Sequence, residues 1–142
     1  MNENEIATII VDAAFTVHTA LGPGLLESVY EGALAHELTK HGLNVVRQLS
    51  IPVVYDGVTF DEGFRADLVV NNLVIIELKS VETVHPVHKK QLTTYLRLAG
   101  KKLGFLINFG SPLLKDGITR VANGVDDWGD RRGSREGAKA RR

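Results

Sequence analysis

Three charged residues interrupt two apolar strands in the middle of this 142-residue chain. Residues 65–70 read RADLVV and residues 73–79 read LVIIELK, and two asparagines stand between them. Charged side chains are rarely buried without a partner or a metal ion. Asp67, Glu77 and Lys79 in this setting therefore predict a polar site built into an otherwise apolar sheet.

The turn between these strands decides whether the two acids share a face. Glu77 and Lys79 are two residues apart, so their side chains point to the same side of a strand. A two-residue turn would pair position 67 with position 76, whereas a three-residue turn over 71–73 would pair Asp67 directly with Glu77. Asparagine tolerates the left-handed backbone conformation that the longer turn requires. We therefore predict the three-residue turn, or an equivalent bulge.

Two opposed carboxylates predict a metal site. Their Cβ atoms would lie about 4.5–5.5 Å apart, and like charges at that distance destabilise a sheet unless a cation sits between them. Oxygen ligands of this kind suit Mg²⁺ or Mn²⁺. Such a site suits phosphodiester hydrolysis, in which Lys79 would orient or deprotonate the nucleophile and stabilise the transition state. The alternative is that Lys79 forms an ion pair with one of the acids on a solvated face.

Hydrophobic periodicity and turn residues predict the elements around this pair of strands. Helices are expected over residues 5–21 and 25–41, broken by Gly22-Pro23-Gly24, and a later helix over 86–99. Strands are expected over 45–55, 58–70, 74–80 and 103–109. After the opening helical unit, the order is three strands, a helix and a strand, which is an α/β pattern.

Two of the predicted helices carry further polar groups. Gln91 and Tyr95 are four residues apart and share one helix face, on which His88 also lies. This stripe could contact phosphate or a flipped base, and a half-buried amphipathic helix explains it equally well. Glu27 lies in the first turn of its helix, where it either complements the helix dipole or reaches the metal as a third acid. Spacing alone leaves both roles open.

Composition limits the chemistry and the location. There is no cysteine, which excludes disulfides, thiolate zinc sites and a cysteine nucleophile. The first five residues are acidic, and no apolar run approaches the roughly 18 residues that span a bilayer. We expect a soluble, cytoplasmic protein with no membrane partner. The chain has 17 basic and 17 acidic residues, so its net charge neither supports nor excludes DNA binding.

The charge is divided unevenly along the chain. Residues 129–142 contain six Lys or Arg and two Asp or Glu, and the rest of the chain carries the opposite excess. Low apolar content predicts that residues 126–142 form a polar, basic, disordered tail after a single folded domain over residues 1–125. The dense basic region of the folded part is predicted to be its DNA-facing edge and comprises Lys89, Lys90, Arg97, Lys101 and Lys102.

Several motifs together resemble a known family. Residues 24–30, GLLESVY, resemble the signature of the family named for its Gly-x-x-Glu-x-x-Tyr (GxxExxY) motif. Four more segments match in order and spacing: RAD at 65–67, IELK at 76–79, QLTTYL at 91–96 and GFLINFG at 104–110. The resemblance covers roughly residues 6–120 and excludes the tail.

That family is similar to the PD-(D/E)xK nuclease superfamily, so the resemblance implies a restriction-endonuclease-like fold, a mixed β-sheet flanked by helices. It implies that Asp67 is the first acid, Glu77 the second acid and Lys79 the lysine of the motif. Glu27 matches a helical acid of several branches, and Gln91 with Tyr95 matches a Gln-x-x-x-Tyr motif of exonuclease-type branches. Ala66 stands where the superfamily name has proline, at a position that varies widely.

The sequence thus predicts a Mg²⁺- or Mn²⁺-dependent nuclease acting on DNA. The predicted metal ligands are Asp67, Glu77, the Leu78 backbone carbonyl and Glu27. The predicted catalytic residues are Lys79, Glu77, Asp67 and Glu27, with Gln91 and Tyr95 positioning the substrate. A catalytically silent nucleic-acid-binding module of the same fold and a structural or interaction protein are the alternatives. Cleavage within or from the ends of a strand, RNA as a substrate, and a homodimer are all left open.

Overall fold

The computed structural model describes residues 1–124 and begins with two helices, α1 (Glu3–Leu21) and α2 (Glu27–Lys40). Helix α1 starts in a capping box, in which the Asn2 side chain and the Glu5 side chain each accept from the other residue's backbone N–H. Positive φ angles at Gly22 and Gly24 let the chain reverse into α2. The predicted tail over 126–142 lies outside the described residues.

Five strands form one mixed sheet in the order β1-β2-β3-β4-β5. Neighbouring strands are antiparallel except β3 and β4, which are parallel and are joined by helix α3. A right-handed crossover through a helix is the usual connection between parallel strands. The elements are β1 (Val45–Tyr55), β2 (Val58–Val70), β3 (Val74–Lys79), α3 (Pro86–Ala99), β4 (Leu103–Asn108), a 3₁₀ turn (Leu114–Asp116) and β5 (Ile118–Ala122).

The predicted α/β fold, a mixed sheet flanked by helices, is confirmed and is consistent with a restriction-endonuclease-like core. Strand β5 was not predicted. Three of its five residues are β-branched, which favours a strand, but the segment is short, and Thr119 and Arg120 interrupt its apolar pattern. Its place in the sheet comes from antiparallel pairing with β4. Within residues 1–124, no helix is long and apolar enough to span a membrane.

The turn between β2 and β3 has the predicted three-residue form. Asn71 and Asn72 have φ angles of 50° and 55°, and Val70 pairs with Val74 across the turn. Leu68 pairs with Ile76 in the same register, so position 67 lies opposite position 77. Both asparagines take the left-handed conformation because their short polar side chains tolerate it.

The sheet buries apolar side chains on both faces. Helices α1 and α2 cover one face, and α3 covers the other, so β3 and β4 contribute alternate residues to two separate cores. In β2 the alternation breaks at Asp67, because Ala66 and Leu68 lie in different cores. The core under α1 and α2 includes Leu68, Val70, Ile76, Leu78, Phe105 and Ile107. The core under α3 includes Val69, Ile75, Leu92, Leu96, Leu106 and Val121. Glu77 and Lys79 follow Ile75 by two and four residues and so lie on the α3 side.

Tyr30 fixes the reversal between α1 and α2. Its ring is fully buried and stacks on Phe109, with ring centroids 4.6 Å apart. Its hydroxyl donates to the Gly22 carbonyl and accepts from the Leu25 N–H. One side chain thus anchors both ends of the loop to the end of the sheet. The last residue of the GxxExxY motif therefore has a structural role in this chain.

We expect Tyr30→Phe to lower the free energy of unfolding by about 1–3 kcal/mol, because it leaves two partly buried backbone groups without a partner while keeping the ring. Urea denaturation monitored by circular dichroism measures this change. Tyr55→Phe is the matched control, since Tyr55 is 72% exposed on the β1–β2 hairpin. Equal losses in the two variants would contradict the role given to the Tyr30 hydroxyl.

Candidate active site

Strands β2 and β3 separate at the predicted acidic pair. Their backbone pairing ends at Leu68 and Ile76. Beyond it, the Asp67 N–H donates to Glu77 Oε2 at 3.1 Å, and the Leu78 N–H donates to Asp67 Oδ2 at 2.8 Å. Each carboxylate thus accepts a backbone donor from the opposite strand. The structure brings Asp67 and Glu77 together, in the register that the three-residue turn sets.

Burial raises the pKa of both acids. Burial is the main cause that raises the pKa of Glu77 to about 8, and the charge of Asp67 adds to it. The pKa of Asp67 is also raised by burial, against the Leu78 N–H and the Gln48 side chain, which lower it. Lys79 lowers the pKa of both acids by its charge, but within residues 1–124 its ammonium forms no ion pair with either of them. Perturbed carboxylates beside a lysine are typical of functional sites.

Helix α3 brings Tyr95 to the acidic pair. Its ring stacks flat on Phe64 of β2, with centroids 4.0 Å apart and planes 5° from parallel. Burial raises the pKa of Tyr95, and the charges of Glu77 and Asp67 raise it further. Gln91 lies one turn earlier on α3 and is exposed; within residues 1–124 it forms no hydrogen bond to the pair. Of the residues in the predicted stripe on α3, Tyr95 is the one whose pKa the two acids raise.

The structure places Glu27 at the start of α2. It is exposed in the first turn of α2, and it makes no side-chain hydrogen bond within the described part of the chain. The Ser80 hydroxyl donates to the Leu25 carbonyl, which holds the start of α2 beside the end of β3. Glu27 therefore stands near the end of the strand that carries Glu77 and Lys79. Its role as a metal ligand stays a prediction.

Glu31, one helical turn after Glu27, is a site residue that the sequence analysis missed. It is 8% exposed and forms an ion pair with Arg47, Nε to Oε2 at 2.9 Å. Its other oxygen accepts from Gln48 Nε2 at 2.6 Å, and the same nitrogen donates to Asp67 Oδ1 at 3.2 Å. A glutamate on the apolar stripe of α2, next to Tyr30 and three residues before Leu34, was the signal that could have identified it.

The donor set fits a hard divalent cation. Within residues 1–124, no three His, Cys, Asp or Glu side chains are grouped closely enough to hold a metal. Mg²⁺ needs fewer protein ligands, because it commonly binds through one or two carboxylates and keeps several waters. Asp67 and Glu77 supply two carboxyl groups, and the charge of Asp67 raises the pKa of Glu77, an effect that a cation would oppose.

The Leu78 carbonyl faces the same gap as the acids. The N–H and C=O of one strand residue point toward the same neighbouring strand, and the Leu78 N–H points at Asp67. The next carbonyl, that of Lys79, accepts from the Phe109 N–H on the opposite side. Leu78 is therefore oriented to offer its carbonyl oxygen beside the two carboxylates.

One comparison with known proteins identifies a family for this chain. A family model described as the PD-(D/E)XK nuclease superfamily matches residues 4–121. The match covers α1 through most of β5 and includes every predicted site residue. A search of curated proteins found no matching relative.

We expect the metal-free protein to lose stability as the pH rises from about 4.5 to about 8. A carboxyl whose pKa is raised in the folded state binds more protons there than in the unfolded chain, so the free energy of unfolding falls with pH across that interval. One extra proton corresponds to a slope of at most about 1.4 kcal/mol per pH unit. Glu77→Gln should flatten this slope.

Urea denaturation of both proteins with a chelator, at pH 5, 6, 7 and 8, measures the slope. The amide oxygen of the variant can still accept from the Asp67 N–H, so the comparison isolates the ionisation. Identical slopes in the two proteins would show that Glu77 does not titrate in this range.

Proposed function

Because the chain belongs to the PD-(D/E)XK nuclease superfamily, we propose that it is a Mg²⁺- or Mn²⁺-dependent nuclease that hydrolyses phosphodiester bonds of DNA in the cytoplasm. The observation that carries the proposal is the partly buried, directly opposed pair Asp67 and Glu77, with Lys79 on the same strand face as Glu77. A purely structural sheet gains nothing from two acids at this position, because burial penalises the charged form of each.

In this proposal Asp67, Glu77 and the Leu78 carbonyl hold the metal ion. We assign Glu27 as a further acid that contacts the ion directly or through a water. It matches a helical acid of several superfamily branches. When bound, the ion would lower the pKa of a water molecule and neutralise charge on the scissile phosphate. The superfamily is typically metal-dependent, which supports this choice of cofactor.

Lys79 supplies positive charge at the reacting centre. It projects from the same strand face as Glu77, two residues on, and its charge acts on both acids. We assign it to orient or deprotonate the attacking water and to stabilise the negative charge that develops on the phosphate.

Helix α3 is the proposed DNA-facing element. Tyr95 stands beside the acidic pair and would position the scissile phosphate, with Gln91 exposed one turn away. Residues 83–115 contain no Asp or Glu. The basic residues on α3 and just after it are Lys89, Lys90, Arg97, Lys101 and Lys102. A basic segment next to the acids attracts the phosphate backbone and would make binding salt-dependent.

We expect Asp67→Asn and Lys79→Ala each to reduce DNA cleavage by about 100-fold or more, since each removes a group that acts on the transition state. Linear, circular and single-stranded DNA with Mg²⁺ or Mn²⁺ are the substrates, and product formation on gels is the measurement. Lys40→Ala is the matched control for Lys79→Ala, because Lys40 lies at the far end of α2 in an exposed ion pair with Glu37.

Cleavage that is unchanged in both site variants would overturn the assignment of these residues. A parent protein that cleaves none of the three substrates but binds DNA in a salt-dependent manner, without metal, would instead indicate the catalytically silent binding module.

We also expect Mn²⁺ to raise the melting temperature of the parent protein. A ligand that binds only the folded state stabilises it by about 2.7 kcal/mol when its free concentration is a hundred times Kd. The double variant with Asp67→Asn and Glu77→Gln removes both anionic ligands, so its melting temperature should not respond. Differential scanning fluorimetry over a Mn²⁺ series gives the answer, and equal shifts in both proteins would place the metal elsewhere.

A further inference from the structure

We infer that Gln48 is a positioning residue, anchored by Glu31, that fixes the carboxylate of Asp67 in the orientation which metal binding and catalysis require. The inference rests on the proposed function of the site. It assigns a role to two residues, one on α2 and one on β1, that belong to none of the motifs identified in the sequence.

Gln48 has an unusual backbone for a strand residue. Its φ angle is 50°, in the left-handed region, although its neighbours Arg47 and Leu49 pair regularly with β2. The other non-glycine residues with positive φ in residues 1–124 are Asp56, Asn71 and Asn72, and all three lie in turns. This conformation costs a non-glycine residue about 1–2 kcal/mol. Contacts of the side chain must offset that cost.

The left-handed residue turns two consecutive side chains toward one partner. In a regular strand, Arg47 and Gln48 would point to opposite faces of the sheet. Here both contact Glu31, through Arg47 Nε at 2.9 Å and Gln48 Nε2 at 2.6 Å. The distortion of β1 therefore delivers the Gln48 amide to a place that an undistorted strand could not reach.

The Gln48 amide joins two acids that would otherwise repel each other. Its nitrogen carries two hydrogens, and its two acceptors are Glu31 Oε1 and Asp67 Oδ1. An ammonium in the same place would add a charge, and a carboxylate would add a third repulsion. A neutral amide nitrogen with two hydrogens can donate to both carboxylates without bringing a positive charge that would repel a metal ion.

Asp67 is then held at both oxygens. The Leu78 N–H binds Oδ2, and Gln48 binds Oδ1, which fixes the plane of the carboxylate and leaves the remaining lone pairs for a metal. The ion pair with Arg47 keeps Glu31 in place. A chain of contacts therefore runs from Glu31 on α2 through Gln48 on β1 to Asp67 on β2. Outer partners of this kind orient metal ligands, and their loss typically reduces metal affinity or activity 10- to 100-fold.

The Gln48→Gly variant separates the effect of the side-chain amide from the effect of the left-handed backbone. Glycine adopts the left-handed conformation without strain, so the variant keeps the path of β1 and loses the two hydrogen bonds. Asp56→Gly is the matched control. Asp56 has a φ angle of 52° in the remote β1–β2 turn, so the change to glycine relieves the same backbone strain at a position away from the site.

Two measurements on these variants test the inference. The first is hydrogen exchange of the Leu78 amide by NMR in metal-free protein, because that amide donates to Asp67. We expect it to exchange roughly five to ten times faster in Gln48→Gly. It should not change in Asp56→Gly, and the Phe109 amide, which donates to Lys79 on the other side of β3, should not change in either variant.

The second measurement compares Mn²⁺ affinity by calorimetry with kcat and KM for DNA. We expect Gln48→Gly to lose 10- to 100-fold in Mn²⁺ affinity or kcat, with KM for DNA close to that of the parent. A Leu78 amide that exchanges as in the parent, or Mn²⁺ binding and kcat that equal those of the parent, would overturn the inference alone. A parent that neither binds Mn²⁺ nor cleaves DNA would overturn the proposed function and this role with it.

Discussion

The register of the β2–β3 hairpin is the constraint on which the rest of the site depends. Strand side chains alternate between faces, so a slip of one residue would move Asp67 to the face opposite Glu77 and Lys79. Two asparagines in left-handed conformations fix a three-residue turn and with it the pairing of Val70 with Val74. Burial on both faces reinforces that register, because the same slip would exchange the residues of the two cores. A small local feature, the shape of one turn, thus sets where three charges meet.

Much of the fold follows from local signals in the chain. The helix breaks at Gly22 and Gly42, the Asp56-Gly57 turn and the stop at Gly100 are all positions where the backbone takes a positive φ, and the apolar runs of β3 and β4 are long enough to identify. Strand β5 has no such signal, because its pairing with β4 comes from tertiary packing. The predicted mixed sheet between helices therefore stands, with one edge strand added by the structure.

The site was predictable where it lies within contiguous strands and less so where distant elements meet. Asp67, Glu77 and Lys79 could be found because charge in an apolar strand is conspicuous in the sequence itself. Glu31 had only a weaker signal, its place on the apolar stripe of α2, because what separates it from Glu27 in the structure is contact with β1. Gln48 gave no signal at all: a polar residue in a strand is ordinary, and its left-handed backbone is visible only in three dimensions.

The carboxyl groups of Glu77 and Asp67 accept hydrogen bonds from the backbone N–H groups of Asp67 and Leu78, and this arrangement affects which substitutions the domain tolerates. The two carboxylates replace sheet hydrogen bonds at the point where β2 and β3 separate, so the end of the sheet and the acidic pair are one structure. Apolar residues at both positions would let the strands continue pairing and remove two partly buried acids whose charged forms burial penalises, which commonly increases stability. The pair is therefore a weak point in the fold that selection for stability alone would remove. A descendant of this chain that no longer needed the site would be expected to lose these acids early, and to become more stable as it did.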